Sequence, residues 1–205
     1  MIELLLAGGR VAGLGTAAGI RPSLTLAVIG MMHHLHAGTT LNPVFSFLGY
    51  WQVIVIFIVL AIIESGLDKI PTFDRVQGRL TTPYRIVMGG IAGAATVPFG
   101  WWGIAIGGVV AAALAWFALY TKQGSRPKTV ASDAALVLMS MWEDLASFAT
   151  AMLTLVFSPF GYLAAVFTSV VYWRTRYLRR AKYRRMQRRS VLGTGQAVEM
   201  PRDEG

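Results

Sequence analysis

The sequence predicts an all-α protein, a polytopic transmembrane helical bundle of about six spans. Three observations carry this. The chain of 205 residues is 55% hydrophobic and only 14% charged, against roughly 25% charged in an average soluble domain. Apolar stretches fill most of residues 2–173, and a spanning helix needs about 20 apolar residues. The connections between these stretches alternate, one basic and the next without Lys or Arg, which is the charge asymmetry of a chain threaded through a bilayer.

The first apolar stretch, Ile2 to His36, would be about 52 Å long as one helix, too long for a hydrocarbon core of about 30 Å. Arg21-Pro22 lies in its middle, and proline removes a backbone donor and clashes with the preceding turn. The expected arrangement is one span from about Val11 to Met32, broken or kinked at Arg21-Pro22. A re-entrant pair of half-helices is the competing one. Further spans follow at about Phe45–Leu67, Pro83–Val97, Trp101–Tyr120, Ala134–Phe157 and Phe160–Trp173. The last is expected to continue as one helix into Arg174, Arg176, Arg179 and Arg180.

An even number of spans puts both ends on one side. Asp68 to Arg85 carries Lys69, Arg75, Arg79 and Arg85; Tyr120 to Asp133 carries Lys122, Arg126 and Lys128. Ala37–Val44, Pro98–Gly100 and Ser158-Pro159 contain no Lys or Arg. By the positive-inside rule both termini are cytoplasmic. Three regions result: a transmembrane domain over 1–173, a basic juxtamembrane extension over 174–189, and a disordered tail over 190–205. No cleavable signal peptide is expected, since Met1-Ile2-Glu3 lacks a basic start.

The formal charge of +9 is concentrated in the extension, where nine Lys or Arg and no acid lie between Arg174 and Arg189. Such clusters beside a membrane attract anionic lipid head groups at about 1 kcal/mol per residue. Arg174, Arg176, Arg179 and Arg180 are the expected contacts, and no nucleic-acid-binding fold is implied. The absence of cysteine excludes disulfides and thiolate metal sites.

Ionisable residues inside predicted spans are the candidate site. Arg21, Glu143 and Asp144 fall near mid-bilayer, where a charge costs about 2.5–3.5 kcal/mol on insertion scales and faces a partner or a wet cavity. Neighbours on a helix point about 100° apart, so one acid is expected to meet Arg21 and the other to be left for a proton, an ion or a second partner. Glu64 and Asp68 share one helix face at i and i+4, with Lys69 as a counterion or with Arg126 or Lys128 across a gate. A substrate or ion pathway through Arg21, Glu64, Asp68, Glu143 and Asp144 competes with a buried salt bridge that locks helices together.

His33, His34 and His36 have no nearby acid or cysteine to complete a metal site, and read as an interfacial cluster; no metal or cofactor is expected. No Walker loop, dinucleotide fingerprint or triad motif is present. Gly89, Gly90 and Gly93, with Gly103-x-x-x-Gly107, suit close helix packing. Gly19-Ile20-Arg21-Pro22 and Gly124-Ser125-Arg126-Pro127 echo one another, and an inverted repeat of the transporter kind is one explanation.

Ala17-Ala18-Gly19-Ile20-Arg21-Pro22, Glu64 through Pro71 with its Asp68-Lys69-Ile70-Pro71 core, and Trp142-Glu143-Asp144-Leu145 together resemble a family of uncharacterised bacterial polytopic inner-membrane proteins, a domain of unknown function. The resemblance spans roughly residues 11–175. It implies a compact multi-helix membrane domain and supplies no activity. The chain departs from the family's pattern at Ala134-Ala135-Leu136, where Gly-Asn-Pro is frequent.

The functional expectation is a small transporter or channel-like protein for an ion, a proton-coupled solute or an anionic lipid, and not an enzyme. A non-catalytic subunit or assembly factor of a larger membrane complex is the alternative, with a lipid-modifying enzyme third. A homo-oligomer fits the first as well as a larger complex fits the second.

Overall fold

A computed structural model describes residues 1–67, 81–125 and 133–193. Within them the apolar stretches form seven α-helices and one 3-10 helix, with no strand among the described residues. The helices are α1 (Ile2–Ile20), α2 (Pro22–His34), α3 (Trp51–Leu67), α4 (Thr82–Ala95), α5 (Trp101–Ser125), α6 (Asp133–Val156) and α7 (Phe160–Gly193), and the 3-10 helix is Pro43–Gly49. The class is all-α. The last helix runs without interruption from the apolar region into the basic extension, to Gly193; the rest of the expected tail, 194–205, lies outside the described residues. Asp68 and Lys69, with Arg126 and Lys128, lie outside the described residues.

α1 stops where the sequence forces it to. Arg21 has a non-helical backbone (φ −141°, ψ 86°), as the residue before a proline tends to. Pro22 then opens α2 at its first position, where its missing N–H costs nothing.

The direction taken after the break is the principal departure from the expected arrangement. α4 serves as a ruler. At its start, Arg85 donates to the carbonyl of Ile20 and the Tyr84 hydroxyl meets Ser23. At its far end, Val97 clusters with Val11 of α1. Asn42, just beyond α2, donates its backbone N–H to Ala95 and its side-chain amide to Val97. Both arms therefore run from the Ala95–Val97 end toward the same tip. α1 and α2 form a hairpin with Arg21 at its apex, the geometry of the competing re-entrant pair and not of one kinked span through Val11–Met32. Within the hairpin α1 runs parallel to α5, with Gly15 and Gly19 against Ala111 and Ala115. α2 runs antiparallel to α3, with Gly30 beside Leu48 and Ile54 and Ser23 bonded to Glu64.

Two further expectations fall with the single span. The N-terminal half of α1 stands with the uncharged connections: Arg10 donates to Ser158, and Leu5 accepts from Tyr162. An even count had placed it with the basic ones. The Gly-x-Arg-Pro echo begins at the ends of α1 and α5, and these helices run in the same direction. An inverted repeat cannot relate them.

Leu14, Leu26, Ile29, Leu48 and Ile54 are fully buried in the core, and the closest helix contacts are made by small residues. α4 and α5 approach through Gly90 opposite Gly108, and through Gly93 and Gly89 against Ala111 and Ala115. Gly107 packs on Val97 and Gly103 on Phe99 and Val97. α1 crosses the α6–α7 turn where Gly9 and Gly13 meet Gly161. Many further large apolar side chains point outward. Val109, Trp142, Val156 and Phe167 are each about 70% exposed. Among the described residues α5, over Trp101–Lys122, is the one helix long and apolar enough to cross a membrane by itself. The 3-10 helix and α3 together qualify as a second candidate, bent by 67°.

Candidate functional site

The hairpin brings its apex, and most of the ionisable residues singled out above, to one place. Arg21 is 1% exposed. Its Nε pairs with Asp144 Oδ1 on α6 and its guanidinium donates to Ser140 Oγ at 2.9 Å. Of the two adjacent acids it is thus Asp144 that meets Arg21. The other oxygen of Asp144 accepts from Ser65 on α3. Glu143, about 100° around the helix, turns to Lys122 Nζ on α5 at 2.9 Å.

The second half of the site lies on α2, α3 and α4. Ser23, fully buried, donates to Glu64 Oε1 at 2.8 Å and lies 2.7 Å from the hydroxyl of Tyr84. Because α3 carries Glu64 and Ser65 in succession, one helix end touches α2 through the first and α6 through the second. Asp68, expected in this group, lies outside the described residues.

The helix ends at the break are themselves electrically matched. The last carbonyls of α1 form the negative end of a helix. Ile20 O accepts from Arg85 at 2.7 Å and from Lys122 at 3.5 Å. Ala17 O accepts from Ser147 at 3.0 Å. Arg21 O begins the next helix by accepting from Thr25 N and Oγ1. Buried backbone groups need partners, and the break in the ladder is closed by side chains from α2, α4, α5 and α6.

Arg85 and Lys122 were the residues that sequence reasoning placed elsewhere, in basic connections. Both lie within helices and are buried, at 3% and 8% exposure. Among the described residues the apex thus gathers three cations (Arg21, Arg85, Lys122) and three acids (Glu64, Glu143, Asp144), so the formal charges cancel. Ser23, Ser65, Ser140 and Tyr84 were missed altogether. Hydroxyls carry no charge pattern for a sequence reading to find.

The level of the apex follows from helix rise. Asp144 lies about 18 Å from the Val156 end of α6, and Glu64 about 20 Å from the Trp51 end of α3, at ~1.5 Å per residue. Asp144 retains 28% exposure while Arg21 behind it is closed off.

The remaining predicted residues are elsewhere. His33 and His34 contact the carbonyls of Thr39 and Gly49 through Nδ1 at 3.0 and 3.1 Å, and His34 lies beside Trp51. Arg174 and Arg176 are exposed on α7; Arg176 donates to the Tyr172 hydroxyl at 2.9 Å. The side chains of Arg179 and Arg180 lie outside the described ones.

A family model described as a domain of unknown function (DUF4126) matches residues 9–177. No curated protein and no solved structure matches the chain.

Proposed function

The chain belongs to the family described as a domain of unknown function, DUF4126, and we propose that it is a multi-pass membrane protein that moves an ion, a proton-coupled solute or an anionic lipid past the apex of the α1–α2 hairpin. The role involves no catalytic step. Its location is the bacterial inner membrane.

The membrane reading is supported by the distribution of side chains. Glycine and alanine make the closest helix contacts, while many tryptophan, phenylalanine, leucine and valine side chains cover the outside. Large exposed apolar surfaces are rare on soluble monomers, and close approach through small residues is how helices associate in lipid. Trp101 and Tyr120, at the two ends of the apolar face of α5, are about 28 Å apart along the helix axis, near the thickness of a hydrocarbon core. With the basic connections inside, the C-terminal extension is cytoplasmic. The N-terminal end of α1, standing with the uncharged connections, is then outside.

One observation carries the transport reading: a helix broken within the apolar layer, its ends lined by paired charges. Discontinuous helices that turn their ends toward a site are a recurrent device of transporters, and intramembrane ionisable residues mark pathways more often than mere structure. Arg21, Glu64, Glu143 and Asp144 line the proposed path, with Asp68 as a further candidate from sequence.

The test is reconstitution of the purified protein in liposomes, with flux of protons, small ions and fluorescent anionic lipid followed in parallel. Flux above empty liposomes, lost in Arg21→Gln and Glu143→Gln, is expected. A double variant that folds and functions like wild type defeats the reading. Purification only as a stoichiometric part of a larger complex would favour the subunit alternative.

A further inference from the structure

We infer that the species exchanged at the apex is the proton, carried between the α4 start and Glu64 along the chain Tyr84–Ser23–Glu64. This rests on the transport reading above and narrows it.

The geometry is a continuous run of short hydrogen bonds. Tyr84 OH lies 2.7 Å from Ser23 Oγ, and Ser23 Oγ donates to Glu64 Oε1 at 2.8 Å. With the serine proton on the glutamate side, the serine oxygen accepts from the tyrosine. A hydroxyl that accepts from one neighbour and donates to the next can pass a proton by reversing both bonds, with no net movement of heavy atoms. When Glu64 takes up the serine proton, Ser23 recovers one from Tyr84, and Tyr84 recovers one from the side on which α4 begins. Charge and protons balance at each exchange, and no oxidant or reductant is involved.

The placement of the chain suits the task. Ser23 is fully buried and Glu64 Oε2 is buried as well, while Tyr84 is partly exposed, so the wire is dry from its middle to its carboxylate and opens at the tyrosine. Tyr84 is the third residue of α4, directly after the connection that carries Lys69, Arg75 and Arg79. Glu64 is joined through the next residue, Ser65, to Asp144, which is 28% exposed. The other charged groups gathered at the apex are Arg21, Arg85 from α4, Asp144 and Glu143 from α6, and Lys122 from α5. Their formal charges sum to +1, so the ionised form of Glu64 is the one that makes the apex neutral. Uptake of one proton there leaves a single positive charge, which neighbouring groups or a co-transported anion must answer.

The experiment uses the full chain in liposomes loaded with a pH-sensitive dye, under an imposed potassium–valinomycin potential, in parallel with chloride, sodium and fluorescent-lipid flux. Proton flux is expected in the wild type and slower in D2O. It should fall about tenfold or more in Ser23→Ala, the scale of losing a hydrogen bond to a carboxyl, and fall likewise in Tyr84→Phe, which removes the hydroxyl bonded to Ser23. Ser23→Thr, which keeps the hydroxyl, should recover flux relative to Ser23→Ala. Tyr84→Phe keeps the ring and guards against misfolding of the buried serine variant. Unchanged proton flux in both hydroxyl-deleted proteins overturns the relay. Wild-type flux of chloride, sodium or lipid without protons overturns the relay and leaves transport standing. No flux of any species overturns both.

Discussion

Arg21 meets Asp144 at the one point where the backbone of α1 ends and that of α2 begins. A guanidinium 1% exposed thus holds the apex of a hairpin against a different helix, and the backbone break and the ion pair stabilise one another. Removing one partner of a buried pair leaves an uncompensated charge, at a cost of about 3–5 kcal/mol. Arg21→Gln and Asp144→Asn should each lower the thermal midpoint in detergent, Arg21→Gln the more, because it also abandons Ser140. The double variant should lose less than the two single losses added together. Strict additivity would show that the two residues do not act as a pair.

The N-terminus should be reachable from the side of the uncharged connections. The chain contains no cysteine, so single substitutions are clean probes. In spheroplasts, a membrane-impermeant maleimide should label Glu3→Cys together with Phe157→Cys. Tyr177→Cys should be labelled only after the membrane is opened. Labelling of Glu3→Cys and Tyr177→Cys from the same side would restore the even-span topology and contradict the hairpin.

That reversal marks the boundary of what the chain's pattern could reveal. Hydropathy located the helices, and Arg21-Pro22 located the break to the residue. Neither carries the direction in which the backbone leaves a break. The expected single span and the observed hairpin share the same apolar content and the same proline. The difference lies in tertiary partners: Ser23 bonds to Tyr84 and Glu64, far off in sequence. The adjacency of Glu143 and Asp144 foretold two different partners, because helix geometry alone separates their side chains. Lys122 and Arg85 were not separable from loop cations, since a long basic side chain near a helix end can face water or an interior carbonyl with equal local plausibility.

The crossing of α1 with the start of α7 should be intolerant of a single methyl group. A Cβ on Gly161 would overlap the carbonyl of Gly9, and one on Gly9 would overlap the carbonyl of Ser158. Backbone cannot yield as a flexible side chain can, so Gly161→Ala and Gly9→Ala should each cost on the order of 1–3 kcal/mol, the usual scale of overpacking, with a lower midpoint. Gly66→Ala is the control: nothing lies within 4 Å of the added atom. In the last turn of α3 that change should be neutral or stabilise by up to about 1 kcal/mol. Equal effects at all three glycines would show that α1 and α7 do not approach as closely as described.

The basic extension should retain anionic lipid independently of the apex. Arg174 and Arg176 are exposed, and Arg176 leans on Tyr172 by a hydrogen bond and a cation–π contact with its carbon 5.9 Å from the ring centre. That contact keeps the guanidinium beside Tyr172 at the end of the apolar stretch of α7, which in the proposed membrane arrangement is the level of lipid phosphates. Near a membrane each such cation contributes about 1 kcal/mol toward anionic lipid, and the contribution falls as salt shortens the screening length. Replacing Arg174, Arg176, Arg179 and Arg180 together by Gln should reduce co-purified anionic lipid, measured by native mass spectrometry, and should remove its dependence on salt. The same variant should keep the thermal midpoint, because Arg174 and Arg176 are exposed on α7 and the described pairs that close the hairpin are made by other residues. A large loss of stability with lipid retention unchanged would make the extension a packing element instead.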